Sequence, residues 1–304
     1  MGSRGRIGNL RKENGSQKSE VRSRRSEVRG QKSEVRSQKS EVRSQKTEVR
    51  RQKSEVRGRK SEEDRLSDIY FVRHAQAGSR DNYDVLSDLG QQQARLLGEH
   101  LTAQGIELGA VFSGGMRRQR ETAEIACDAI VRAGLAAPRL TVDDRWNEFS
   151  LISVYRAIAK RMKQDDADFA RDIAEMQQAI ARDPHTTGGA VGRCDQAVIR
   201  AWMSNRYPDY EGEAWSSFQT RIQGCASDLS SNHHAEEAIA IFTSATPIAI
   251  IAGAALGLTD EKLLSILGVI YNTSVSVMRV RAGALRLFTF NATPHLNAAN
   301  RTFR

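Results

Sequence analysis

From Leu66 onward the chain alternates short apolar runs with longer stretches whose apolar residues recur every three or four positions. Residues 68–73 carry Ile69-Tyr70-Phe71-Val72 without a break, which reads as a buried strand. Ser87 has the side chain of a helix N-cap, and 91–102 puts Ala94, Leu97 and Leu101 on one side of a helix that stops at Gly105. Ala110-Val111-Phe112 predicts a second short strand. Residues 117–132 predict a helix with Ile125, Ala129 and Ile130 facing inward, and 140–142 an edge strand leading into Trp146-Asn147-Glu148. Residues 152–182 are helical in pattern but heavily charged, an excursion from the core in the manner of a lid, broken at Asp183-Pro184. Helices follow at 196–203 and 214–229, a central strand at 238–242, a buried helix at 247–256, and a last strand pair, 275–280 and 285–290, around Arg281-Ala282-Gly283. Strands alternating with helices predict an α/β three-layer sandwich. Its central sheet is mostly parallel, with helices on both faces and a helical insertion at about 151–210.

The first 65 residues follow a different rule. Ser-Glu-Val-Arg begins at Ser19, Ser26, Ser33, Ser40 and Ser54, Thr47 opens a variant copy, and a decayed copy starts at Ser61. A coiled coil needs apolar residues at two positions of each heptad, and here only the valine qualifies. Residues 1–65 are therefore expected to be a disordered basic tail, and so regular a repeat reads as a translated nucleotide repeat ahead of the true start. Charge makes the same division. Residues 1–64 hold 20 basic and 10 acidic side chains, leaving 26 against 27 in the rest, so the net +9 belongs to the tail. A basic surface that binds nucleic acid is thus no property of residues 66–304, which are long enough for one domain with one core, and no specific nucleic-acid partner is expected. Cys127, Cys194 and Cys225 form no CxxC pair and favour free thiols in a reducing, cytoplasmic setting. The uncharged run 238–258 is interrupted by Thr243, Ser244, Thr246 and Pro247, so a strand, a turn and a helix explain it better than a membrane span.

Familiar catalytic motifs are missing: no P-loop, GxGxxG, HExxH or GxSxG, and no zinc spacing among the six histidines. Cys194 and Arg200 have the separation used by cysteine-dependent phosphatases, but the residues between them lack glycine and read as helix. Chemistry collects at strand ends. Arg73 and His74 close the first strand; Ser113 closes the second, with Arg117 and Arg118 opening the next helix. Ligands of open α/β sheets bind at the carboxyl ends of strands, helix amino termini favour anions, and arginine matches phosphate oxygens with a planar fork. Two successive strands thus deliver cationic groups to one edge, beside a histidine able to act as a nucleophile.

The wider pattern resembles the histidine phosphatase superfamily, also called phosphoglycerate-mutase-like. Arg73-His74-Ala75-Gln76 is similar to its Arg-His-Gly motif. Leu86-Ser87, Gly90 and Gln93-Ala94 are similar to its Leu-Thr-x-x-Gly-x-x-Gln-Ala signature. Ser113, Arg118 and Thr122-Ala123 resemble its Ser…Arg…Thr-Ala segment, and Trp146-Asn147-Glu148 the stretch that holds its acid. The resemblance implies that His74 is the nucleophile and forms a phosphohistidine. Arg73 and Arg118 would hold the phosphoryl oxygens, and Glu148 would be the general acid. Gln76 and Ser244 would line the substrate. No metal and no cofactor is implied, and the partner is a small phosphorylated substrate or a phosphoprotein. Two departures stand out: Ser244 occupies the place of the family's second histidine, and Glu121 replaces a glutamine. His295, in Asn291-Ala292-Thr293-Pro294-His295-Leu296, is the later histidine that could approach the pocket. A phosphohydrolase is the function implied. A phosphate-binding pseudophosphatase and a mutase are the alternatives, the mutase disfavoured because it must conserve its phosphohistidine.

Overall fold

The computed structural model describes residues 67–78, 82–183, 186, 188–232, 238–281 and 284–303. The heptad-repeat tail, Pro184 and Ala282-Gly283 lie outside the described residues. One sheet organises the rest, built from β1 (Ser67–Arg73), β2 (Leu108–Ser113), β3 (Leu140–Val142), β4 (Ala238–Thr243), β5 (Val275–Arg281) and β6 (Ala284–Ala292) in the order β3-β2-β4-β1-β5-β6. The β3-β2, β2-β4 and β4-β1 pairings are parallel. The sheet is mostly parallel, as expected, and β5 is the exception, running antiparallel to both β1 and β6. Too few residues separate β5 from β6 for a crossover, so those two strands form a hairpin.

Period-two alternation sends successive side chains to opposite faces. Val72 of β1 and Ala240 and Phe242 of β4 pack with Leu97, Leu101, Ala123, Ala126 and Ile130 from helices α1 (Asp88–Ala103) and α2 (Arg117–Arg132). Ile69 and Phe71 of β1, Ile239 and Ile241 of β4, and Met278 of β5 face the larger cluster on the other side, centred on Trp146, Phe149, Trp202 and Phe218. Both faces are therefore covered, as the three-layer sandwich requires.

The segment after β3 is helical. It comprises α3 (Leu151–Val154), a π-type turn (Tyr155–Ala159), α4 (Lys160–Asp165), α5 (Ala167–Arg182) and α6 (Gly189–Met203). Asp166 ends the first run in an extended conformation and caps the next by accepting from the Asp168 and Phe169 amides. Val154, Ile158, Met162, Phe169, Ile173, Val198 and Trp202 join the same large cluster, so the inward face of this charged segment is core. Helix α7 (Trp215–Asn232) completes that side. Helix α8 (Ala245–Leu256) starts directly after β4, two residues earlier than expected, and ends at Gly257 in the left-handed region (φ 64°). Helix α9 (Asp260–Leu267) was not anticipated, its eight residues being too few to establish a helical period. Among the described residues no helix is long and apolar enough to cross a membrane.

Candidate active site

Strand β4 lies between β1 and β2, so three neighbouring parallel strands end at one edge. They deliver Arg73-His74, Ser113 and Thr243-Ser244 there, all buried. The backbone at His74 is pinned from both sides: its amide donates to the Thr243 carbonyl at 2.8 Å, and its carbonyl accepts from Asn272 Nδ2 at 3.0 Å. The Ala75 amide donates to Thr122 Oγ1 at 3.0 Å and the Gln76 amide to Gln93 Oε1 at 2.9 Å. Gln93 Nε2 in turn reaches the Asn300 carbonyl at 2.7 Å and Thr302 Oγ1 at 3.0 Å, and Thr302 Oγ1 donates to Asn272 Oδ1 at 2.9 Å. Thr273, whose amide bonds the Arg73 carbonyl at 3.1 Å, holds a left-handed backbone (φ 53°) that costs a β-branched residue about 1–2 kcal/mol.

The imidazole of His74 has a defined tautomer. Nδ1 faces the Ala75 carbonyl at 2.8 Å, and a carbonyl only accepts, so Nδ1 carries the proton. Nε2 then presents a lone pair and accepts from Arg118 Nε at 3.2 Å. Burial holds the His74 pKa well below its ordinary value, and the Arg118 and Arg73 charges push in the same direction. The ring is therefore neutral at pH 7 with its free nitrogen aimed at a cation, which is what a nucleophile toward phosphorus needs.

The cations are engaged. Arg73 donates to the Ile270 carbonyl and to the Tyr83 hydroxyl, while its Nε finds no partner among the described residues. Arg118 turns inward to His74, whereas Arg117 turns outward and donates to Glu121, so the charge of Glu121 is paired away from His74. Helix α2 has no side-chain cap from Met116. Asp84 supplies one instead: Oδ2 accepts from the Arg117 amide at 3.1 Å, and Oδ1 from the Arg118 amide at 3.4 Å and Arg118 NH1 at 3.0 Å. Tyr83 lies across Arg118, 4.9 Å from guanidinium carbon to ring centre, and edge-on to His74 at 6.3 Å. An acidic side chain of the protein thus occupies a ready-made anion cradle.

Glu148, the expected acid, comes from the loop after β3. The Trp146 carbonyl accepts from Thr243 Oγ1 at 2.5 Å, and Asn147 Oδ1 from the Gly115 and Met116 amides at 2.6 and 3.2 Å. Glu148 follows, accepting from the Thr246 amide at 3.2 Å. Burial raises its pKa above the ordinary carboxylate range against the opposing pull of Thr246 and Arg118. Arg73, Arg118 and Glu148 lie within electrostatic reach of one another.

The sequence profile of the histidine phosphatase superfamily (branch 1) matches residues 69–198 and 185–293. The chain belongs to this superfamily. Two solved structures illustrate the shared fold. A mycobacterial hydrolase is 17% identical, the match covering 77% of this chain and 94% of that one with a TM-score of 0.50. Phosphoglycerate mutase from Bacillus anthracis str. Sterne is 15% identical, with coverage of 78% and 97% and a TM-score of 0.50. No curated protein sequence gives a significant match.

Within this histidine phosphatase chain, His74, Arg73, Arg118 and Glu148 gather at one edge, and Ser244 is beside them at the end of β4. Gln76 is turned aside: its amide oxygen accepts from Ser87 Oγ at 2.7 Å and its backbone carbonyl from the Ser87 amide at 3.0 Å. His295 sits behind the His74 backbone, with Nε2 3.0 Å from Thr273 Oγ1 and its ring 6.0 Å from that of His100, and burial pushes its pKa down to about 4. Cys194 is buried inside α6, its thiol pushed up to about 11 by burial, so the cysteine-phosphatase spacing is coincidental. Sequence reasoning missed Tyr83, Asp84 and Gln119. Among the described residues no His, Cys, Asp or Glu cluster gathers that could hold a metal ion.

Proposed function

We propose that this chain is a phosphohydrolase that acts on a small phosphate monoester or a phosphoprotein through a phosphohistidine. The observation that carries the reading is the buried, neutral His74, its proton fixed on Nδ1 and Nε2 presented to Arg118. In the first step Nε2 attacks phosphorus and the bond to the leaving oxygen breaks. Arg73 and Arg118 balance the charge on the phosphoryl oxygens, and Glu148 gives the leaving oxygen its proton. In the second step water attacks the phosphohistidine, Glu148 takes the water proton, and inorganic phosphate leaves with Nε2 restored. Positioning and charge stabilisation carry most of phosphoryl transfer, and this site offers both. The free cysteines support a cytoplasmic setting.

A second reading has a specific observation in its favour. Ser244 brings no charge where the family's second histidine would stand, and Asp84 fills the cradle, which suits binding of a phosphorylated ligand without turnover. Radiolabelled phosphate transfer from substrate to protein, quenched early, separates the two. Label in the wild type and none in His74→Ala supports the hydrolase. No label and no p-nitrophenyl phosphate turnover in wild type ends that reading.

A further inference from the structure

One buried amide at the site serves neither the nucleophile nor the arginines. Gln119, directly after Arg118 in α2, is completely buried. Its Nε2 donates to Ser244 Oγ at 2.9 Å and to the Trp146 carbonyl at 3.4 Å. Because a carbonyl cannot donate, the Trp146 contact fixes which end of the amide meets Ser244. Oε1 points the other way, toward Gly114, where a β-carbon would come within 2.0 Å of it.

The consequence falls on Ser244. A hydroxyl has one proton and two lone pairs. Gln119 takes a lone pair, which leaves the proton to donate. Nothing in the serine's own helix competes for the hydroxyl. Ser244 is the N-cap of α8 yet makes no side-chain capping bond. The third helical residue is Pro247, which has no N–H, and the Thr246 amide is already given to Glu148. Ser244 also sits where it matters, at the end of the strand hydrogen-bonded between the one that ends in Arg73 and the one that leads to Arg118.

We propose that Gln119 is a positioning residue: it commits the Ser244 hydroxyl as a hydrogen-bond donor to a phosphoryl oxygen held at His74, and the Gln119–Ser244 pair replaces a charged side chain in steadying that oxygen. This rests on the phosphohydrolase reading for its place in the reaction, but the donor itself can be tested on a bound oxyanion without turnover.

The test is a double-mutant cycle of wild type, Gln119→Leu, Ser244→Ala and the double variant. It is read twice, as kcat for p-nitrophenyl phosphate and as orthovanadate affinity by calorimetry. Each single variant is expected to lose roughly 10- to 100-fold in kcat, below the full loss of an oxyanion donor because the serine is neutral. The double variant is expected to lose no more than Ser244→Ala, with KM nearly constant, and vanadate affinity to follow the same non-additive pattern. Additive losses, or a Gln119→Leu that changes KM alone, overturn the proposal, since packing would then explain the residue. Should Gln119→Leu fail to fold, Gln119→Glu runs the same cycle. A carboxylate accepts where the amide donates, so kcat is expected to recover as pH falls, and a pH-independent loss overturns the proposal. If wild type binds vanadate with the coupling but shows no turnover, the hydrolase reading fails and the assignment of the pair stands.

Discussion

Replacing Asp84 with asparagine is expected to tighten the site's hold on phosphate. Asp84 occupies three donors that a phosphoryl group would use: Arg118 NH1 at 3.0 Å and the Arg117 and Arg118 amides at 3.1 and 3.4 Å. Its side chain is 53% exposed, so its ion pair with Arg118 is worth at most about 1 kcal/mol. The amide contacts act as a helix cap and add about 1 kcal/mol. A ligand must displace this internal competitor, which weakens its binding by a total of about 1–2 kcal/mol, or roughly 5- to 30-fold. Asparagine keeps an oxygen for the amides but loses the charge that holds Arg118. The orthovanadate inhibition constant and KM, measured for both proteins, are expected to fall by up to about 5-fold with kcat changed less than about twofold. Removing a negative charge also favours anions at long range, but that part fades as salt shortens the Debye length below about 10 Å. The displacement effect persists in salt. A collapse of kcat with unchanged vanadate affinity would refute the reasoning and make Asp84 part of the catalytic machinery.

The pH profile of kcat/KM on an alkyl phosphate, whose leaving oxygen needs a proton, follows from two shifted groups. His74 must be neutral, and burial beside two arginines lowers its pKa, so activity is present above that pKa and is lost only well below pH 6.5. Glu148 must be protonated, and burial raises its pKa above 4.5, so activity is present below that raised value and is lost as pH climbs through it. Glu148→Gln is expected to flatten the alkaline limb, and an acid limb at or above 6.5 in wild type contradicts the assignment. Gly90→Ala tests the turn that follows His74: its β-carbon would stand 2.1 Å from the Gln76 carbonyl oxygen and 3.1 Å from the Gln76 amide, both backbone. A loss of about 2–4 kcal/mol in urea unfolding is expected, and a change under about 0.5 kcal/mol shows that the turn can yield.

The two-faced alternation of β1 and β4 and the amphipathic period of α1 and α2 are written locally, so their elements, and the Arg73-His74 strand end, could be read directly. The reversal of β5 is set by its long-range pairing with β1, which apolar pattern does not report. Within the site, Tyr83 and Asp84 come from an irregular polar segment with no period to mark it. Their role is created by docking against α2, thirty residues later in the chain. Gln119 was hidden for a related reason. Between two arginines it looks like one more polar helix position, and only the Trp146 loop closing over it makes it a buried donor. The available signal was weak: the Ser244 departure leaves a hydroxyl without a charged neighbour, which invites a search for what orients it.

The ties between Thr302, Asn272 and Gln93 have a consequence for biosynthesis. His74 sits on the first strand of the sheet, but the bond on its carbonyl comes from Asn272, and Asn272 is braced by Thr302. A ribosome therefore releases His74 long before the residues that hold it in place. Until residue 302 is free to fold back, the nascent chain carries Arg73-His74 without this support. By the same logic, a cleavage just before Thr302 would loosen His74 from behind while leaving His74, Arg73, Arg118 and Glu148 themselves intact.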